Sequence, residues 1–209
     1  MTVTGLREVK KRETRQLISD RATGLFLAKG FEHTTIAEIA EAARVAKKTV
    51  TNYFPRKEDL AFDHQEEFVE SLARTVVARG PGESALGALR SGCLDAIARQ
   101  DPVAGFAGPE FSRMIADSPT LSVCLRSLHD LREDNLAAAL VAATGATAGD
   151  ITPRAAAAVF GGVHRVVFAR IQELTLAGRG GPEIAAVAGE EAEQAFALLE
   201  ASFGDYARA

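Results

Sequence analysis

Apolar residues recur at three- and four-residue steps along almost the whole chain, and nowhere do they alternate with polar ones for long enough to make a strand. That period belongs to helices that each bury one face. Strong breakers divide them: Gly30, Pro55, Gly80-Pro81-Gly82, Asp101-Pro102, Asp117-Ser118-Pro119, residues 144–149 and residues 178–182. Between the breakers the pattern predicts helices over about 10–29, 35–43, 47–53, 57–79, 84–100, 104–116, 119–143, 153–177 and 183–203. The expected fold class is all-α. A small N-terminal unit, residues 1–55, is expected to precede a larger helical bundle, residues 56–209. A content of 6% aromatics with no Trp favours helix packing over a β-sandwich.

Local signals sharpen several ends. Gly30 is suited to close the first helix with φ > 0. Thr34 or Thr35 opens the second, and Glu38 stands three residues after Thr35, the capping-box spacing. Thr152-Pro153 reads as an N-cap followed by proline in the first turn.

Charge is divided unevenly. Residues 1–60 carry 12 Lys+Arg against 8 Asp+Glu, and the remainder 12 against 20, within a net charge of −4. Every lysine lies at or before Lys57. A basic head on an acidic body offers one surface to a polyanion. The N-terminus lacks an apolar signal-peptide core, and the longest uncharged run, residues 136–149, is too short to span a bilayer. A cytoplasmic protein without membrane contact is expected. Cys93 and Cys124 show no metal spacing and read as reduced thiols. No HExxH, Gly-rich phosphate loop or GxSxG occurs, so neither catalysis nor a metal or cofactor is expected.

Residues 30–60 carry the most information. Two short helices flank a turn at Ala43-Arg44-Val45, a helix-turn-helix arrangement. In the second of them Val50 and Phe54, four apart, turn inward onto Ile36 and Ile39. Lys47, Lys48, Thr51 and Asn52 are left outside. Lysine neutralises phosphates or donates to guanine, asparagine pairs with adenine, and threonine offers a hydroxyl and a methyl. Tyr53, Lys57 and the amides of the next helix can hold phosphates on either side. The cluster Arg7, Lys10, Lys11, Arg12 and Arg15 reads as an arm approaching the DNA backbone or minor groove.

This stretch resembles the N-terminal domain of the TetR/AcrR family of bacterial regulators over roughly residues 12–62. The resemblance rests on LFLAKGFEHTTIAEIAEAARV and on VTNYFPRKEDL. It implies a three-helix DNA-binding domain and a six-helix ligand-binding and dimerisation domain. It also implies operator contacts from Thr34, Thr35, Lys47, Lys48, Thr49, Thr51, Asn52, Tyr53 and Lys57. Arg44 departs from the pattern, since the family usually has glycine in the turn.

The resemblance further implies a homodimer on double-stranded operator DNA, built by the last two helices, and a small-molecule effector. Apolar stripes suited to the dimer interface run through Phe160, Val163, Val167 and Ile171, and through Val187, Ala188, Ala192, Ala195, Phe196 and Leu199. Pocket candidates are Phe106, Phe111, Met114, His129, Arg132, Asn135, His164, Arg165 and Phe168, a set that fits an apolar or amphipathic effector. A ligand-released repressor is the expected function. An activator of the same family is the alternative, ahead of a helical-bundle enzyme or a protein-interaction scaffold.

Overall fold

The computed structural model describes residues 3–209, whose regular structure is helical throughout. In chain order the helices are α1 (Val3–Lys29), α2 (Ile36–Ala42), α3 (Lys47–Tyr53), α4 (Glu58–Ala61), α5 (Gln65–Ala78), α6 (Ala85–Ala98), α7 (Pro109–Asp117), α8 (Pro119–Thr144), α9 (Thr152–Leu176), α10 (Gly181–Ala197) and α11 (Glu200–Phe203). A single 3-10 turn at Pro102–Ala104 precedes α7. With α4/α5 and α10/α11 each taken as one interrupted rod, the nine expected helices are recovered.

The interruptions have local causes. The rod expected over 57–79 breaks at Phe62, whose backbone leaves the helical region (φ −115°, ψ 52°). Just after it, Asp63 accepts a bond from the Ser19 hydroxyl, and its carbonyl accepts one from Arg15 at 3.0 Å. Those bonds to α1 hold the chain out of a continuous helix. The helix expected from 104 instead starts at Pro109. Gly105 sits at φ +121°, where a Cβ would lie 3.1 Å from the Phe168 carbonyl oxygen, so glycine is required there. Thr152 is the first helical residue of α9 rather than its N-cap, and Asp150 accepts from its amide at 2.9 Å.

Two compact units emerge. The first runs to Gln65 and takes in Arg113–Cys124, so the boundary expected after residue 55 falls inside it. Its core is spaced along α1 as Ile18, Ala22 and Phe26, met by Ile39 of α2, Val50 of α3 and Leu60 of α4, all at most 1% exposed. Glu32 reaches the start of α8, accepting from the Ser118 hydroxyl at 2.6 Å and the Thr120 amide at 3.3 Å.

The turn between α2 and α3 is a complete Schellman motif. Val45 N–H bonds to Ala40 O at 2.9 Å and Arg44 N–H to Glu41 O at 3.0 Å. That pattern demands a left-handed residue, and Arg44 adopts it at φ +55°. A non-glycine residue there costs roughly 1 kcal/mol. Arg44→Gly should therefore raise stability, by no more than about 1 kcal/mol because glycine also loosens the unfolded chain. An unchanged or lower urea midpoint would contradict the strain.

The second unit holds Glu66–Ser112 and Leu125–Ala209. Here α9 and α10 pack against α6 around a core that includes Leu89, Leu136, Phe160, Ile171 and Phe196. Most of the residues expected in the dimer stripe are therefore interior to one protomer. Phe160, Val167, Ile171, Ala188, Ala192 and Phe196 are all buried within one protomer. Val163, Val187 and Leu199 lie half-buried against the same core, and Ala195 is half-buried as well. A helical stripe reports that a face is covered; here its own subunit covers it.

Candidate functional site

Two regions can engage other molecules: the outer face of α3 and a cavity in the second unit. α3 is only seven residues long, begins at Ala46 without a side-chain cap, and ends where Pro55 forbids continuation. Val50 and Phe54 anchor it at 0% and 1% exposure. The Arg15 guanidinium lies 4.3 Å from the centre of the Phe54 ring, tying α1 to that anchor. Arg15 thus turns inward rather than joining an arm. The rest of the basic cluster is helical, because α1 starts at Val3 and not near Lys10.

Lys47, Lys48, Thr51 and Asn52 project from the other side of α3 and are exposed; Thr49 and Tyr53 are half-buried. Among the described residues no hydrogen bond or ion pair engages the side chains of Lys47, Lys48 or Asn52. Thr51 donates to the Lys48 carbonyl at 3.2 Å. The helix holds no acidic residue. Two free ammonium groups and one free carboxamide on a rigid face can neutralise phosphates and meet base edges.

Three of the expected contact residues are committed within the fold. Thr34 is 1% exposed and its hydroxyl donates to the Gly30 carbonyl at 2.9 Å. Thr35 completes the capping box: its amide donates to Glu38 Oε2 at 2.8 Å, and its hydroxyl accepts from the Glu38 amide at 3.3 Å. Lys29, first, and the Thr35 groups hold the Glu38 carboxyl down at about 2, so the box is fully charged near neutrality. Lys57 donates to the carbonyls of Phe31 at 3.0 Å and Thr34 at 3.1 Å, and lies 4.2 Å over the Phe31 ring. Its ammonium positions the α1–α2 turn instead of standing free for phosphate. Sequence spacing carried no sign of this, because the bonds span more than twenty residues.

The cavity measures about 360 Å³. It is lined from α5 (Ser71, Leu72, Thr75), α6 (Leu89, Cys93), the 3-10 turn (Val103), α8 (Arg132) and α9 (His164, Val167). Of the expected pocket residues, Arg132 and His164 line it. His129 and Phe168 form an aromatic cluster with Phe68 instead, with ring centres 5.0–5.9 Å apart. Arg165 is taken up by Glu133 at 3.1 Å and Asp130 at 3.7 Å. Asn135 donates to the Val69 carbonyl at 3.4 Å. Phe106 packs on the core of the second unit, Phe111 is half-buried outside the cavity lining, and Met114 is buried in the first unit.

Burial, then Arg132 and Arg165, lowers the His129 imidazole to about 4, against an ordinary 6.5; burial shifts His164 the same way. A histidine whose folded-state value is lowered takes its proton in the unfolded chain first. Stability should therefore hold above about pH 7 and fall as the pH drops from about 6.5 toward 4. Urea midpoints across that window test this, and His129→Gln should flatten the decline. An unchanged slope in the variant would count against it.

Residues 18–63 match the model for the tetR family of bacterial regulatory proteins. The HTH-type transcriptional regulator TcmR of Streptomyces glaucescens is 34% identical over 170 residues, covering 78% of this chain and 75% of that protein. This chain belongs to the TetR family.

The fold of this TetR-family regulator agrees with solved structures. That of native NalD, the secondary repressor of the MexAB-OprM multidrug efflux pump in Pseudomonas aeruginosa, superposes with a TM-score of 0.56 at 19% identity, covering 88% of this chain and 97% of that one. The SmeT–triclosan complex gives 0.57 at 17% identity, covering 91% of each chain. As a TetR-family transcriptional regulator it is not an enzyme. No helix of its described residues is long and apolar enough to cross a membrane.

Proposed function

We propose that this TetR-family regulator represses transcription by binding a near-palindromic operator as a homodimer, and that a small molecule entering the cavity of the second unit releases it. The observation that carries the DNA reading is the outer face of α3, where Lys47, Lys48 and Asn52 are exposed and, among the described residues, without intramolecular partners. Thr49, Thr51 and Tyr53 border that face and complete the contact set. Thr34, Thr35 and Lys57 support it by ordering the α1–α2 turn and the start of α2. Repression agrees with the role of NalD as a repressor, and effector binding with the complex of SmeT with triclosan.

The dimer surface is better placed on the outward side of α9 than on its buried stripe. Val159 and Val166 stand seven residues apart on that side, 37% and 66% exposed, with Gly162 open between them. Leu198, just after α10, is 83% exposed. A second copy covering this side would remove large apolar groups from water, and small residues permit close helix approach. Two α3 helices must then meet major grooves about 34–36 Å apart, so the operator half-sites should be related by a two-fold.

Footprinting on DNA flanking the gene should reveal a protected inverted repeat, with an affinity that falls steeply between about 50 and 200 mM salt. Protection of a single half-site, or binding indifferent to salt, would count against the reading.

A further inference from the structure

We propose that the effector of this regulator is an anionic amphiphile, an apolar body bearing a carboxylate or an equally acidic group, and that Arg132 is its counter-charge with His164 as a second polar contact. The proposal rests on the reading of the cavity as the effector site and adds the chemical class.

Arg132 is 5% exposed, yet among the described residues no carboxylate stands within ion-pair distance of it. Its Nε donates to the Ser71 hydroxyl at 2.9 Å and its plane lies 4.5 Å from the centre of the Phe68 ring. The two η nitrogens donate to no described residue, while the side chain lines the cavity. A guanidinium stays protonated near neutrality even here, where burial lowers it only to about 10. Its neighbours supply no negative charge: burial pushes the Cys93 thiol up to about 11, and His129 and His164 are neutral. A buried cation is normally paired, so the missing partner is the informative feature.

The other arginines of the lining are already engaged. Arg99 faces Asp101 at 3.9 Å, and the Asp101 carboxylate also accepts from the Val103 amide at 2.9 Å. Arg74 faces Glu70 at 3.7 Å and donates to the Glu67 carbonyl at 2.8 Å. Glu67 is the remaining acid of the lining, and it does not come within ion-pair distance of Arg132.

His164 supplies the second, independent observation. It is 8% exposed, it lines the same cavity, and its Nε2 is buried without a hydrogen-bond partner. One edge of the imidazole lies against the Phe196 ring, with centres 5.6 Å apart. A planar acid placed between these groups would take two donors from Arg132 in bidentate geometry and a third from Nε2–H. Leu72, Leu89, Val103 and Val167 would cover its apolar body. A volume of about 360 Å³ is at the small end of ligand pockets, which suits one fused ring system or a medium-length chain.

The test uses matched pairs: decanoate and decanamide, 1-naphthaleneacetate and 1-naphthaleneacetamide, anthracene-9-carboxylate and its amide. Binding is read by calorimetry and melting temperature on the full chain, and operator release is read in parallel. At least one acid should bind ten-fold or more tightly than its amide. Arg132→Met should abolish that preference and, by removing an unpaired buried charge, leave the melting temperature of the free protein equal or higher. Arg132→Lys should retain the preference in part. Absence of binding by every acid, equal affinity for acid and amide, or a preference surviving in Arg132→Met would each overturn the proposal. Release of the operator by a neutral amide as readily as by its acid would uphold effector release and sink the anion. An acid that binds through Arg132 yet leaves the operator bound would uphold the site and sink release.

Discussion

Replacing Lys47 and Asn52 together by alanine should reduce operator affinity by about 30-fold to 10⁴-fold while leaving the melting temperature of the protein unchanged. Each side chain that reads a base edge contributes about 1–3 kcal/mol of discrimination, and two of them together about 2–6. The stability half of the expectation follows from exposure. Neither residue is buried or bonded within the protein, and surface substitutions of that kind usually stay within about 0.5 kcal/mol. Lys48→Ala alone should behave differently if it neutralises a phosphate, weakening all DNA about equally and lowering the salt slope by about one. Fluorescence anisotropy on operator and scrambled duplexes separates the two behaviours. A double variant that still binds the operator tightly would remove direct readout by α3.

The second large effect discriminates the buried side of α9 from its exposed side. Phe160 is fully buried and its ring lies 5.1 Å from that of Phe203. Phe160→Ala should cost about 3–5 kcal/mol of protomer stability, the range for a phenylalanine truncated in a close-packed core. Val166→Glu places a charge on the exposed side and should leave the protomer folded but monomeric, with operator binding lost. Because dimerisation itself adds to apparent stability, the Phe160 cost is best measured in the Val166→Glu background at fixed concentration. Sedimentation gives the oligomeric state and urea titration the stability. If Phe160→Ala were mild, or if Val166→Glu remained a dimer, the assignment of the two sides would be reversed.

Local features were legible where the atoms that decide them lie within a few residues of one another. The Thr35–Glu38 capping box and the Gly30 helix end at φ +86° both follow from contacts spanning at most four residues. So does the two-sidedness of α3, since Val50 and Phe54 fall on one side of so short a helix whatever it packs against. The bonds of Lys57 and Thr34 are not legible in the sequence for the opposite reason. Both have residue types that suit phosphate, but each is drawn to a backbone carbonyl exposed at the α1–α2 turn. Such carbonyls invite donors.

By itself, then, the sequence determined an all-helical chain, a helix-turn-helix with Lys47, Lys48 and Asn52 outermost, and membership of a regulator family. Periodicity and capping are local physics, and the matching stretch is continuous. Only the tertiary structure decided which apolar side of α9 is interior, which of nine pocket candidates meet at a cavity, and that Arg132 lacks a counter-charge there. Burial and pairing depend on which distant elements approach, and a helical period is the same whether its own subunit, a partner or a ligand covers it.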